Sequence, residues 1–523
     1  MLARAQSFLL QGIDALPCEI EVDFDEVAMD MENKRPVIIV GLPDAAVKES
    51  HERVKSALQN SGFAAPHGRL LINLAPADVR KEGPLYDLPI AVCMLMVQGV
   101  IRPTPSPAFP DGLDARSLVF AGELALDGRV RPIKGAIAAA AWARDAGYRG
   151  IVVPADNACE AAVVEGIDVY GANTLAEVVG WLTGRLEAQP VPPPDVAALL
   201  RTASAPIDFA DVRGQEGVKR AIVVAAAGGH NLLMLGPPGS GKTMMAKALP
   251  GVLPPLTPEE AIEITRIYST AGQMPPGLGL ITTRPVRSPH HTASAAAIVG
   301  GGQIPRPGEI SLAHRGILFL DELPEFPRDV LESLRQPLED HVVAIARSRS
   351  AVRFPASFML IAAMNPTMRG DMPAGEEGKR ATDKYMNRIS GPLLDRLDIH
   401  VEAPAVPWKE LSEGATKKER PKGTSTAQMR EQVMRARAMQ HMRQGLTTPN
   451  ARLSGRQLDQ LAGMDEDALA MLGQAMTQMG LSARAYDKIR RLSRTIADLE
   501  GSEKIGLAHV SEAVQYRLLD RRI

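Results

Sequence analysis

The chain is short of cysteine, aromatic residues, net charge and long apolar runs, and each shortage removes a class of protein. Its three cysteines, Cys18, Cys93 and Cys159, stand far apart in 523 residues with no CxxC spacing. That excludes a disulfide scaffold and a cysteine-rich zinc site, and all three are expected to be small core residues. Aromatics are 4% of the chain, too few for a surface that works chiefly by base stacking. The apolar stretch PIAVCMLMVQGVI at 89–101 falls short of the roughly 20 residues that span a bilayer, so no membrane helix is expected. The N-terminus has one early arginine, no convincing cleavage site, and apolar positions that run straight into strand-like alternation. A cytoplasmic address follows.

Net charge is only −2, but it is unevenly placed. From Lys409 to the end there are 20 Lys and Arg against 14 Asp and Glu, an excess of +6, which leaves −8 for the remainder. An anionic partner at the C-terminal end fits this asymmetry, and so does a solvated helical surface.

The chain's length exceeds one ordinary core, and 45% hydrophobic with 23% charged residues suits a globular protein of several domains. Through residue 186, strand patterns (VIIVGLP, RLLINLAP, SLVFAGEL, GIVVPA) alternate with helical ones (DAAVKESHERVKSALQNSG, GAIAAAAWARDAG), as in a mixed α/β domain. Residues 187–208 open proline-rich and poorly periodic, as a semi-rigid linker does. Strand and helix signals alternate again over 209–405, and the pattern is helical over 406–523. The expected architecture is α/β, α/β, then all-α.

Chemistry first appears at GPPGSGKT, residues 236–243. Gly236, Pro237, Pro238, Gly239, Ser240, Gly241, Lys242 and Thr243 satisfy the phosphate-loop spacing, between an apolar strand and a helical run. Its glycines let backbone N–H groups turn toward phosphates, Lys242 brings a point charge to the β and γ oxygens, and the Thr243 hydroxyl can ligate Mg²⁺. A plain strand-to-helix turn is the alternative. About eighty residues on, RGILFLDELPEF reads as a buried strand ending in Asp321 and Glu322. Asp321 can hold the Mg²⁺ shell and Glu322 can deprotonate a water, although such a pair standing alone would serve as a helix cap. A third strand, FMLIAAMN, ends in Asn365, which can fix that water or merely shape the turn before Pro366. Arg396 lies between Asp395 and Asp398, where it can make a local ion pair or reach a neighbouring subunit's γ-phosphate. Arg484 either covers the nucleotide or is one more solvated basic residue.

Together these stretches resemble AAA+ ATPases, and more narrowly the magnesium-chelatase-like branch. RSPHHTASAAAIVGGGQIPRPGEISLAHRGILFLDELPEF, RISGPLLDRLDIHVE and LSARAYDKIRRLSRTIADLEGSEKI are similar to the ComM/YifB group, as are VGLPDAAVKESHERVKSALQNSGF and INLAPADVRKEGPLYDLPIAV. The resemblance covers nearly the whole chain. It implies ATP and Mg²⁺ as cofactors, with Lys242 and Thr243 at the phosphates and metal, and Asp321 and Glu322 at the metal and water. It further implies Asn365 as sensor, Arg396 as arginine finger in trans and Arg484 as lid sensor. Arg388 and Arg306 are further candidates to face a neighbour's nucleotide. A ring, hexameric by family habit, is implied, with inserts between the phosphate loop and Asp321 lining a pore. His290 and His291 sit there, and loop or pore-contact roles fit them better than a metal site. Members of the group carry a cysteine cluster after the sensor asparagine, where this chain has NPTMRGDMPAGEEGKRATDKYMNR. No structural zinc is expected.

The first domain resembles the proteolytic domain of Lon, a fold of the ribosomal protein S5 domain 2 type, here with Leu85 at the serine's place and Ile137 at the lysine's. Neither side chain supports Ser–Lys chemistry, and nearby Lys134 is expected to be a solvated surface residue. The implied fold is therefore a protease-dead Lon-like domain (1–186), a P-loop AAA+ α/β core (209–405) and a C-terminal helical lid (406–523). The implied function is a DNA motor, a helicase or branch-migration factor for recombination intermediates as in natural transformation. A chelatase-type motor subunit and a protein unfoldase are the alternatives, and the Lon-like domain counts against the first of these.

Overall fold

The computed structural model describes the chain except residues 26–36, 67, 103, 106–109, 202–206, 276, 303–304, 348–349, 368–384, 387, 406–423, 446–447, 518 and 520–523. The described residues form two compact units, Met1–Leu199 with Pro258–Ile281, and Leu200–Thr257 with Thr282–Ile523.

The first unit is built on strands β1 (Leu2–Gln11), β2 (Asp14–Asp25), β3 (Val37–Val40), β4 (Arg69–Ala75), β5 (Leu118–Phe120), β6 (Gly150–Pro154) and β7 (Asp168–Ala172). They form one mixed sheet in the order β3-β4-β2-β1-β5-β6-β7. β2 runs antiparallel to β1 and β4, and the other pairs are parallel. β6 is buried at every position, as befits a parallel strand covered on both faces. The apolar run at 89–101 supplies most of helix Asp87–Val97, whose residues are all buried. That helix begins on a fully buried carboxylate, because Arg53 grips Asp87 with Nε on Oδ2 at 2.8 Å and Nη2 on Oδ1 at 3.0 Å. Burial raises the Asp87 pKa, and the Arg53 hydrogen bonds work to pull it down.

Residues 258–281 fall within the span expected as one contiguous ATPase core, yet they pack with the first unit. Helix Pro258–Ala271 buries Ile264 and Ile267, and its Ser269 hydroxyl donates to Glu160 while accepting the Gly135 N–H at 2.9 Å. Cys18 and Cys93 are core residues as expected, and burial pushes the Cys18 thiol up to about 12. Cys159 is not, because the turn of helix Ala155–Ala161 that buries Asn157, Ala158 and Glu160 sends it outward.

The second unit holds strands β8 (Leu232–Leu235), β9 (Val286–Arg287), β10 (Ile317–Leu320), β11 (Met359–Met364) and β12 (Ile399–Glu402). Their order is β9-β10-β11-β8-β12, and every pair is parallel. β8, β10 and β11 are buried at every position, which is why they read as apolar runs rather than alternations. The C-terminal helices share this unit's core. Ile489, Leu492 and Ile496 of helix Ala483–Leu499 and Met429 and Val433 of helix Thr426–Gln444 join Ile222 of helix Glu216–Gly228 in one apolar cluster.

One carboxylate ties these helices together. Fully buried Asp498 accepts from Arg443 at 2.6 and 2.9 Å, from Arg494 Nε at 3.1 Å and from Asn450 at 2.8 Å. Asp498→Ala leaves two guanidinium groups without their anion, and we expect a loss of about 3–5 kcal/mol in denaturant unfolding. A loss under about 1 kcal/mol, the scale of an exposed pair, contradicts this account.

Candidate nucleotide site

The site forms where three parallel strands end on one edge, the position at which open α/β sheets bind ligands. Leu235 pairs with Met364, and Leu320 with Ala362, so the chain leaves β8, β10 and β11 within a residue or two of the same level. Past β8, Gly236 donates its N–H to Met364 O at 3.1 Å, and a Cβ there would stand 2.1 Å from Ala403 O. Only glycine fits. Gly241 then takes φ 86° and opens helix Lys242–Ala248, a left-handed turn that a side chain would strain.

Lys242 is only 7% exposed. Its Nζ donates to Gly236 O and Pro237 O at 2.8 Å each, and to Asn365 Oδ1 at 3.3 Å. Burial pulls its pKa below the usual lysine value, while the Asp321 and Glu322 carboxylates pull back. Thr243 Oγ1 donates to Asp321 Oδ2 at 2.7 Å. Glu322 follows with φ 53°, and its N–H donates to Asp321 Oδ1 at 3.0 Å. Lys242, Thr243, Asp321, Glu322 and Asn365 are thus assembled from three separate segments. A hydroxyl and a carboxylate within 2.7 Å are hard oxygen donors of the kind Mg²⁺ takes alongside substrate phosphates.

The arginines have other partners. Arg396 ion-pairs with Glu339 and donates to Pro392 O at 2.6 Å, rather than pairing with Asp395 or Asp398 as one of the two alternatives had it. Asp398 is taken by Lys488 at 3.2 Å and by the Asn231 N–H at 3.0 Å. Burial works to raise its pKa, but Lys488 and His230 hold it below the usual carboxylate range. Arg484 is 74% exposed and lies 3.5 Å from Asp395. Arg388 contacts both Glu325 oxygens at 3.1 Å and stacks over Tyr385, and Arg306 is exposed on a short hairpin. Residues 368–384 and 387, most of the run that replaces the cysteine cluster, lie outside the described residues.

Two features escaped the sequence. A cavity of about 700 Å³ is lined by Gln215, Glu216, Val218, Gly236, Pro237 and Pro404. Gln215 Nε2 donates to Pro404 O at 2.6 Å, and its Oε1 is buried with no hydrogen-bond partner. The signal was the turn VRGQEGVKR before helix Glu216–Gly228, with Gln215 at φ 60°. The second is His291, whose Nδ1 lies 3.4 Å from Glu322 Oε2. Sequence reading gave that histidine a loop or pore contact.

A parallel sheet carrying a phosphate loop beside an acidic strand end defines a P-loop, AAA+ ATPase-like protein. Comparisons narrow the class. Residues 208–411 match the family described as magnesium chelatase, subunit ChlI, residues 423–517 its C-terminal family, and residues 26–157 the family described as subunit ChlI of Mg-chelatase. The chain is 43% identical to the uncharacterized protein YifB of Salmonella typhimurium over 98% of its length and 96% of the relative's. It is 42% identical to competence protein ComM of Haemophilus influenzae over 99% and 98%. The magnesium-chelatase 38 kDa subunit of Rhodobacter capsulatus is 27% identical over 37% of this chain and 55% of its own. The chain belongs to the ComM/YifB family of magnesium-chelatase-like proteins.

Proposed function

We propose that the chain is an ATP-hydrolysing ring motor, hexameric and cytoplasmic, that moves DNA strands and acts on recombination intermediates. The observation that carries the hydrolytic part is the cluster of Lys242, Thr243, Asp321, Glu322 and Asn365. In this reading Thr243 and Asp321 hold Mg²⁺, which when bound neutralises charge on the transferring phosphoryl group. Lys242 exchanges its contacts to the loop's own carbonyls for phosphate oxygens. Glu322 takes the proton of the attacking water, and Asn365 orients that water. The cavity beside Gln215 receives the base, and Gln215 Oε1 accepts from the exocyclic amine of adenine.

DNA as the track is supported by the relative named as a competence protein, by the excess of positive charge after Lys409, and by Leu85 and Ile137 at the places of a Lon-type serine and lysine. On the same reading the first unit is a protease-dead scaffold or DNA contact, and the C-terminal helices form the lid over the nucleotide. The match to the chelatase 38 kDa subunit favours a second reading, a motor that remodels a partner enzyme.

The discriminating experiment offers branched DNA, single-stranded DNA and unfolded protein to the ATPase beside a mobile four-way junction. We expect DNA to stimulate hydrolysis, wild type but not Glu322→Gln to resolve the junction, and binding to weaken steeply with salt. Stimulation by unfolded protein alone, with no junction processing at low salt, sinks the DNA reading.

A further inference from the structure

His291 sits on the segment between β9 and helix Ala295–Val299, and no role in hydrolysis follows from the phosphate loop or the acidic strand end. Its ring is held on two sides. His290 lies against it with centroids 4.1 Å apart at 34°, and Phe326 meets it edge-on at 6.4 Å and 82°. His290 is itself fixed through Nδ1, 2.9 Å from Thr292 Oγ1. The His291 side chain is 32% exposed and places its Nδ1 3.4 Å from Glu322 Oε2, at a carboxylate that is 49% exposed.

A half-exposed glutamate samples several rotamers, and ordering it at the moment of reaction costs entropy. A base is effective when its rotamer is fixed beforehand by packed neighbours. From this arrangement we propose that His291 is a positioning residue for Glu322: its Nδ1–H holds Oε2, leaving Oε1 to take the proton of the attacking water. His291 touches neither phosphate nor metal in this role. Because it rides on the segment that leads into the hairpin of Gly300–Gly301 and Arg306–Pro307, whatever displaces that insert displaces the holder of the base.

The inference rests on Glu322 being the base, and the test separates the two. ATP hydrolysis by full-length wild type, His291→Ala, His291→Asn, Glu322→Gln and the His291→Ala/Glu322→Gln double variant is measured with nucleotide affinity and melting temperature. His291→Ala should lower kcat roughly ten- to hundred-fold, the scale of a misplaced catalytic group. KM, nucleotide affinity and melting temperature should be unchanged. His291→Asn, which keeps an N–H donor, should recover part of kcat, and the double variant should be no slower than Glu322→Gln in single turnover. Unchanged or raised kcat in His291→Ala, a loss expressed in KM, no recovery in His291→Asn, or a further loss in the double variant overturns the proposal. If Glu322→Gln hydrolyses at the wild-type rate, the assignment of the base has failed, and the positioning role falls with it.

Discussion

Lys242→Ala should abolish nucleotide binding, whereas Glu322→Gln should bind ATP as wild type does and hydrolyse it about 10²–10⁴ times more slowly, the contribution typical of a positioned general base. The contrast follows from where the two side chains stand. The Lys242 ammonium is buried and bonded to Gly236 O, Pro237 O and Asn365 within the loop itself. On the proposed reading that ammonium moves to the phosphates when nucleotide binds, so its removal should weaken ground state and transition state together. The Glu322 backbone N–H donates to Asp321 Oδ1, and its carboxylate lies 3.4 Å from His291 Nδ1. Glutamine keeps its size and hydrogen bonding and loses only its basicity, so the loss should fall on kcat. Nucleotide titration and phosphate release check both halves. Equal loss of binding in the two variants contradicts the division of roles.

Much of this site was legible because its parts are local. A phosphate loop is a fixed spacing between a strand and a helix, and a buried parallel strand is an uninterrupted apolar run, so GPPGSGKT and ILFLDE announce themselves without knowledge of the fold. What stayed hidden depends on which segments meet. Arg396 was read against its sequence neighbours Asp395 and Asp398, but its carboxylate partner is Glu339, 57 residues away. His291 looked like part of an insert, and only the folded chain sets it against Glu322. Helix Pro258–Ala271 has a buried apolar stripe. A stripe records that a helix is covered, not by what, so its place in the first unit could not be read from 209–405 alone. Cys159 failed for a smaller reason: composition makes cysteine a core residue on average, and one helical turn decides the particular case.

The second large effect concerns Arg396. Arg396→Ala should lower hydrolysis about 10³–10⁵-fold if the guanidinium neutralises a neighbouring subunit's transition-state charge. The structure supplies the rival explanation. Arg396 is 14% exposed, bound to Glu339 and Pro392 O, with its Nε buried and lacking a hydrogen-bond partner, so its removal leaves Glu339 without this ion pair. Glu339 is 61% exposed, so that pair contributes about 0–1 kcal/mol, far below the loss expected of a finger. Two measurements separate the readings. Glu339→Ala breaks the pair while keeping the arginine, and should leave most hydrolysis intact if the finger acts in trans. Arg396→Ala subunits mixed with Glu322→Gln subunits should hydrolyse faster than either alone, because a mixed ring can place an intact Glu322 opposite an intact Arg396. If Glu339→Ala is as slow as Arg396→Ala, or if mixing shown by labelled subunits restores nothing, Arg396 acts within its own subunit and the assignment across the interface is wrong.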